Sequence, residues 1–214
     1  MTLPALWLCA DLDHPRAESL GARVGRALEA GPAVVWLRAP HGAPAREVLA
    51  LARALVSLSR GSGAVFVGDR ADIALAAGAD GVHLPERAFD PAALRGWPLL
   101  RSRAVHDVRG AERFAMQTDA LVASPFRAVP GKGEPLGAEG LGAIVRAAGT
   151  TPVIALGGVQ TPDDVRACVD AGARGVAVRR ALLDADDPLP VCAALQRALA
   201  QLTAPADPCD ARPR

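Results

Sequence analysis

The chain has 214 residues, half of them hydrophobic, and a formal net charge of +1. That bounds one globular domain with a sizeable core and excludes the broad basic footprint of a nucleic-acid binder. Aromatic residues make up only 3% and tyrosine is missing, which excludes a base-stacking platform.

The first stretch, MTLPALWLCADLDHP, has no basic leader, and Asp11 and Asp13 cut its apolar run short. It reads as neither signal peptide nor membrane span. ALWLCA (5–10) is a short buried strand, and residues 15–30 follow as an Ala/Arg/Glu helix. AVVWLRA (33–39) is a second strand and AREVLALARALVSL (45–58) a strongly helical run. AVFV (64–67), GVHL (81–84), PLLRSRAV (98–105), ALVA (120–123), PVIAL (152–156) and GVAV (175–178) complete a set of eight, with Ala-rich helical stretches between most of them. Continuous apolar strands mean burial on both faces. Strand–helix alternation implies parallel pairing through right-handed crossovers.

AAGADGVHL (76–84) and DAGARGVAV (170–178) share one layout. In each, a helix closes at Gly78 or Gly172, where a left-handed cap needs glycine, and a strand begins two residues later. Eight such units predict a single-domain α/β chain, a (β/α)8 TIM barrel, over residues 1–202. A doubly wound open sheet is the alternative, weakened because no GxGxxG follows the first strand. The tail, 203–214, is Pro- and charge-rich and reads as frayed. Cysteines at 9, 168, 192 and 209 form no CxxC pair. The expectation is reduced thiols in a cytoplasm.

Ligands of such barrels bind at the carboxyl ends of the strands. Gly157-Gly158 follows PVIAL and precedes a helix with Thr161 at its N-cap and Pro162 at N1. Backbone amides there, with Arg179 and Arg180 after the last strand, suit a phosphate; a plain tight turn is the alternative. Lys132 is the only lysine. It lies between glycines in the longest loop, 124–137, and can reach a phosphate as a point charge or simply be solvated. Arg38 ends an apolar strand, where either a phosphate or a neighbouring carboxylate would satisfy it. Asp69 could hold magnesium or cap the next helix. His83 lies inside a strand, where a structural role is the more common one, and Asp107, next to His106, caps a helix. Nothing in the sequence has the pattern of nucleophilic or zinc chemistry.

Taken in order, WLRAP, VGDRADIALAAGADGVHL, VHD, the GKG loop ending PLG, VIALGGV and GVAV resemble the thiamine phosphate synthase/TenI superfamily, from residue 5 to residue 184. The resemblance implies a (β/α)8 barrel and, for the synthase branch, a transferase of thiamine biosynthesis. That reaction joins hydroxymethylpyrimidine pyrophosphate to thiazole phosphate through a pyrimidine cation and releases pyrophosphate. Magnesium and basic residues stabilise the departing group. The implied partners are small phosphorylated heterocycles, with no nucleic acid and no membrane; the oligomeric state stays open.

Residue by residue, the resemblance places Arg38 and Lys132 in catalytic positions and Gly157, Gly158, Arg179 and Arg180 at the phosphate. His83, His106 and Ser124 line the substrate. The strand-two Gln, Arg and Lys of the family fall on Trp36, Arg38 and Pro40. The metal-binding Asn-Asp pair falls on Gly68-Asp69, and the second metal aspartate on Ala88, leaving Glu86 as a substitute ligand. The family serine falls on Ala104, the last-strand Ile-Ser on Arg179-Arg180, and the histidine of the thiazole tautomerase branch on Ser124. The alternatives are a TenI-like barrel that binds or isomerises a thiazole phosphate, and a non-catalytic phosphate-ligand binder.

Overall fold

The eight apolar runs form eight parallel strands: β1 (Leu6–Asp11), β2 (Ala33–Arg38), β3 (Gly63–Gly68), β4 (Gly81–Leu84), β5 (Leu100–Val105), β6 (Ala120–Ala123), β7 (Val153–Leu156) and β8 (Gly175–Val178). Each pairs with its sequence neighbours, and β1 pairs with β8 to close a barrel. The open-sheet alternative is thereby excluded. A computed structural model describes residues 2–203; from 204 onward the expected tail lies outside the described residues.

Helices α1 (Leu20–Leu28), α2 (Ala45–Leu58), α3 (Ala71–Ala77), α4 (Val108–Phe114), α5 (Gly137–Ala148), α6 (Pro162–Asp170), α7 (Arg180–Leu183) and α8 (Pro188–Thr203) wrap the outside. The helix expected over 15–30 is shorter, because its first turns form a 3-10 segment, Ala17–Ser19, ahead of α1. Between β4 and β5 the crossover is only a 3-10 turn, Pro91–Leu94, capped by the Asp90 carboxylate. Gly78 closes α3 in the left-handed conformation, as its position predicts.

Strand side chains alternate between two cores. One set, with Leu8, Val35, Leu37, Val67 and Leu84, packs under the helices. Amphipathic spacing supplies the other half of that layer: Leu20, Val24 and Ala27 of α1, and Val48, Ala52 and Leu55 of α2. The second set fills the barrel itself and includes Trp7, Cys9, Val34, Trp36, Ala64, Phe66, Val122 and Ile154. Three of the few aromatics are thus spent on the interior, with the Trp7 and Phe66 rings 5.1 Å apart. Small neighbours make the room. A Cβ at Gly81 would lie 2.6 Å from the Phe66 ring. Each large apolar side chain buried this way contributes about 1.5–3 kcal/mol.

Candidate functional site

At the carboxyl ends of the strands a cavity of about 240 Å³ opens among Trp36, Arg38, Ser124, Lys132, Gly157, Gly158, Arg179 and Arg180. Cys9, Leu156 and Ala177 add apolar lining, and Gln160 adds a polar edge. Arg38 and Arg179 stand here because their strands end here, on either side of β1. Between them sits Asp11, the last residue of β1 and only 1% exposed. Its Oδ2 accepts from Arg38 at 2.6 Å and from Arg179 at 3.0 Å. A buried carboxylate needs such partners. Here it holds two half-exposed guanidinium groups in fixed orientation at the rim of one cavity. Cys9 contributes no nucleophile: burial first, then the Asp11 charge, push its thiol up to about 12.

The turn after β7 is built from Gly157 and Gly158, at φ 100° and 76°. Both are conformations that L side chains rarely adopt. The missing side chains also admit the loop that follows β6. A Cβ at Gly157 would meet Pro125 at 2.9 Å, and one at Gly158 would meet Arg127 at 2.6 Å. Thr161 caps α6 with Pro162 at N1, as expected, and Asp164 completes a capping box.

The opposite rim is built differently. Asp69 is the one non-glycine residue at positive φ among the described residues, 61°. It does not cap α3, whose N-cap position is Arg70. Its Oδ2 lies 3.2 Å from Arg87. Glu86 lies 3.6 Å from Nε2 of His106. The loop over 86–89 is gripped from below by Arg103, which is 4% exposed and donates to the carbonyls of Glu86, Ala88 and Phe89. Its guanidinium lies 4.4 Å over the Phe114 ring.

The three substrate-lining expectations separate. Ser124 lines the cavity. His83 is 2% exposed inside the barrel, outside the cavity lining, with Nδ1 2.9 Å from the Ser102 hydroxyl and its ring 4.0 Å from Trp36. Burial, reinforced by Arg103, lowers its pKa to about 3, so it is neutral at physiological pH. His106 is partly exposed, with Nδ1 2.6 Å from the Ser124 carbonyl oxygen, and is not part of the lining either. Asp107 caps α4, as expected. Sequence reasoning assigned no role to Asp11, Trp36 or Gln160. An aspartate ending a fully apolar strand, one strand away from Arg38, was the available signal for the first.

Residues 7–182 match the family described as thiamine monophosphate synthase. The chain belongs to that family. Thiamine-phosphate synthase of Moorella thermoacetica is 38% identical over 180 residues, covering 80% of this chain and 82% of the relative. That of Thermus thermophilus is 38% identical over 184 residues, covering 83% and 87%. Thiamine phosphate pyrophosphorylase from Pyrococcus furiosus superposes with a TM-score of 0.82 at 28% identity, over 93% of this chain and 96% of the other. With relatives of this kind named as synthases, the TenI-like and non-catalytic alternatives are not favoured.

The rim to which the resemblance assigns magnesium departs from the implied pattern in this chain. The resemblance implies two aspartates. Here one is Asp69, already paired with Arg87, and the other position is Ala88, which packs against the apolar core. Among the described residues there is no group of three or more His, Cys, Asp and Glu side chains that could hold a metal ion. One carboxylate that is already paired holds magnesium poorly unless waters and a substrate phosphate supply the remaining oxygens. No helix among the described residues is long and apolar enough to cross a membrane.

Proposed function

We propose that this protein acts as a thiamine phosphate synthase, joining hydroxymethylpyrimidine pyrophosphate to thiazole phosphate and releasing pyrophosphate. One observation carries the reading. Arg38, Lys132, Arg179, Arg180 and the Gly157-Gly158 turn, drawn from four separate stretches of sequence, converge on one cavity at the end of the barrel where ligands bind.

In this reading the carbon–oxygen bond of the pyrimidine substrate breaks first, and the electron pair leaves with pyrophosphate. Negative charge therefore grows on oxygens at the moment of departure. Guanidinium groups already oriented by Asp11 and the ammonium of Lys132 stabilise that charge without reorganising. The thiazole then supplies the electron pair of the new bond to the pyrimidine cation. Amides of the Gly157-Gly158 turn, at the start of the capped helix α6, suit its phosphate. Trp36, Leu156 and Ala177 keep part of the cavity apolar, which limits water capture of the cation.

Magnesium belongs to the resemblance, which assigns its carboxylate positions to Asp69 and Ala88 and so leaves Asp69, with Glu86 as a substitute for the second. The pairing of Asp69 with Arg87 supports a different balance, in which fixed guanidinium charge does more of the work. The proposed location is the cytoplasm, in line with the unpaired, buried Cys9, Cys168 and Cys192.

The test is incubation of folded protein with both substrates and magnesium, following thiamine phosphate by chromatography. Product formation that depends on both substrates is expected. Folded protein that yields none above background overturns the reading.

A further inference from the structure

The loop carrying Lys132 and the turn carrying Gly157-Gly158 come from different strands, yet they form one wall of the cavity. Backbone bonds lay the base of the contact. Phe126 N donates to Leu156 O at 2.8 Å, and Arg127 N to Gly157 O at 2.9 Å. Above that base a side-chain connection crosses between the two. Arg127 Nε donates to Asp164 Oδ1 at 2.5 Å. The other oxygen of Asp164 accepts from Gln160 N at 3.0 Å, Thr161 N at 3.1 Å and Thr161 Oγ1 at 2.9 Å. Asp164 is thus the knot of the glycine turn and the α6 cap, and Arg127 is the only side chain from the Lys132 loop that the structure ties to it among the described residues. The absent Cβ of Gly158 is what lets Arg127 approach.

Arg127 does not line the cavity, so it does not reach the anion from where it stands. We propose that Arg127 is a positioning residue. Its pairing with Asp164 fixes the Lys132 loop against the Gly157-Gly158 turn, so that the cation of one and the amides of the other are set before an anion arrives.

The proposal rests on the reading of this cavity as an anion site. Ordering a loop in advance removes part of the cost that binding would otherwise bear. The long loop needs this, because from Ser124 to Leu136 it has no regular structure of its own. The pair contributes little to global stability, because the Arg127 side chain is half exposed and such pairs are weak. Its effect therefore belongs in ligand affinity. Burial acts to raise the Asp164 pKa, but hydrogen bonds from Gln160, Thr161 and Arg127 outweigh it and hold the carboxyl below the usual range. The carboxylate is charged at neutral pH.

The experiment is calorimetric titration of the full chain with inorganic pyrophosphate, beside steady-state kinetics, for the wild type and for Lys132→Ala, Arg127→Ala, Arg127→Lys and Asp164→Asn. The expected result is binding by the wild type, weakened by Lys132→Ala. Arg127→Ala should weaken it about 3- to 10-fold, raising KM while kcat stays within about twofold. Arg127→Lys should recover part of the loss. Asp164→Asn should weaken binding as well.

If the wild type binds no pyrophosphate, the anion reading fails and the positioning role goes with it. If the wild type and Lys132→Ala behave as expected but Arg127→Ala and Arg127→Lys both bind like the wild type, only the positioning role is overturned. If Arg127→Ala binds weakly while Asp164→Asn binds as well as or better than the wild type, Arg127 grips the anion itself and positioning is again overturned.

Discussion

Asp11 and Arg38, 27 residues apart in sequence, lie in register on adjacent strands, and the same Asp11 oxygen that accepts from Arg38 also accepts from Arg179. One buried negative charge therefore sits behind two positive groups at the cavity. Long-range electrostatics and positioning make opposite predictions for its removal. Asp11→Asn makes the cavity more positive, which on charge alone tightens anion binding. Releasing two guanidinium groups from fixed orientation weakens it. We expect the second effect to win, with pyrophosphate affinity falling about 3- to 10-fold, as calorimetric titration would show. Folding stability should fall by about 1–3 kcal/mol in denaturant unfolding, less than for a wholly buried pair because both arginines reach solvent.

Lys132 behaves differently. It is exposed, it lines the cavity, and no side-chain partner holds it among the described residues. Lys132→Ala should lower kcat/KM by about 10- to 100-fold, corresponding to the roughly 1.5–3 kcal/mol of a hydrogen bond to a charged group. Its melting temperature should match the wild type. A fall in Tm equal to that of a core variant would show that the lysine is structural.

Gly158→Ala should damage both stability and binding. The backbone at φ 76° is strained for alanine, and the new Cβ would meet Arg127 at 2.6 Å. About 1–3 kcal/mol of destabilisation is expected, seen as a Tm lower by about 2–4 °C per kcal/mol for a chain of this size. Moving the turn should also raise KM for the thiazole phosphate.

The pH dependence follows from His83. Its pKa falls from 6.5 to about 3 on folding, through burial first and the Arg103 charge second. Between those values the unfolded chain binds the extra proton, so stability is full above pH 6.5 and declines as pH drops toward 3. The slope contributed by this one group approaches about 1.4 kcal/mol per pH unit. Urea unfolding of the wild type between pH 7 and 4 should show that decline, and His83→Asn should flatten it. A wild-type profile that is flat across this window would contradict the buried, neutral histidine.

The strand runs and helix faces were legible because their period is local: an apolar run bounded by turns shows burial before any partner is known. The same holds for Thr161 and Asp107, whose caps close within a few residues of their own positions. The motifs that resemble the synthase family are local too, and the residues they single out, Arg38, Lys132 and the glycine pair, line one cavity. His83 shows the limit. Its strand was plain, but its burial depends on Trp36 and Ser102, which come from β2 and β5.

By itself the sequence determined the eightfold alternation, the family, and the set of cationic and glycine positions, because each rests on residue type and spacing along the chain. Only the tertiary structure decided which charges meet: Asp11 with Arg38 and Arg179, Asp69 with Arg87, Arg127 with Asp164. Those pairings arise where adjacent strands, and the loops that follow them, are brought side by side, and for Arg179 from the closure of β8 onto β1. An ion pair is set by distance in space, which residue order alone does not encode.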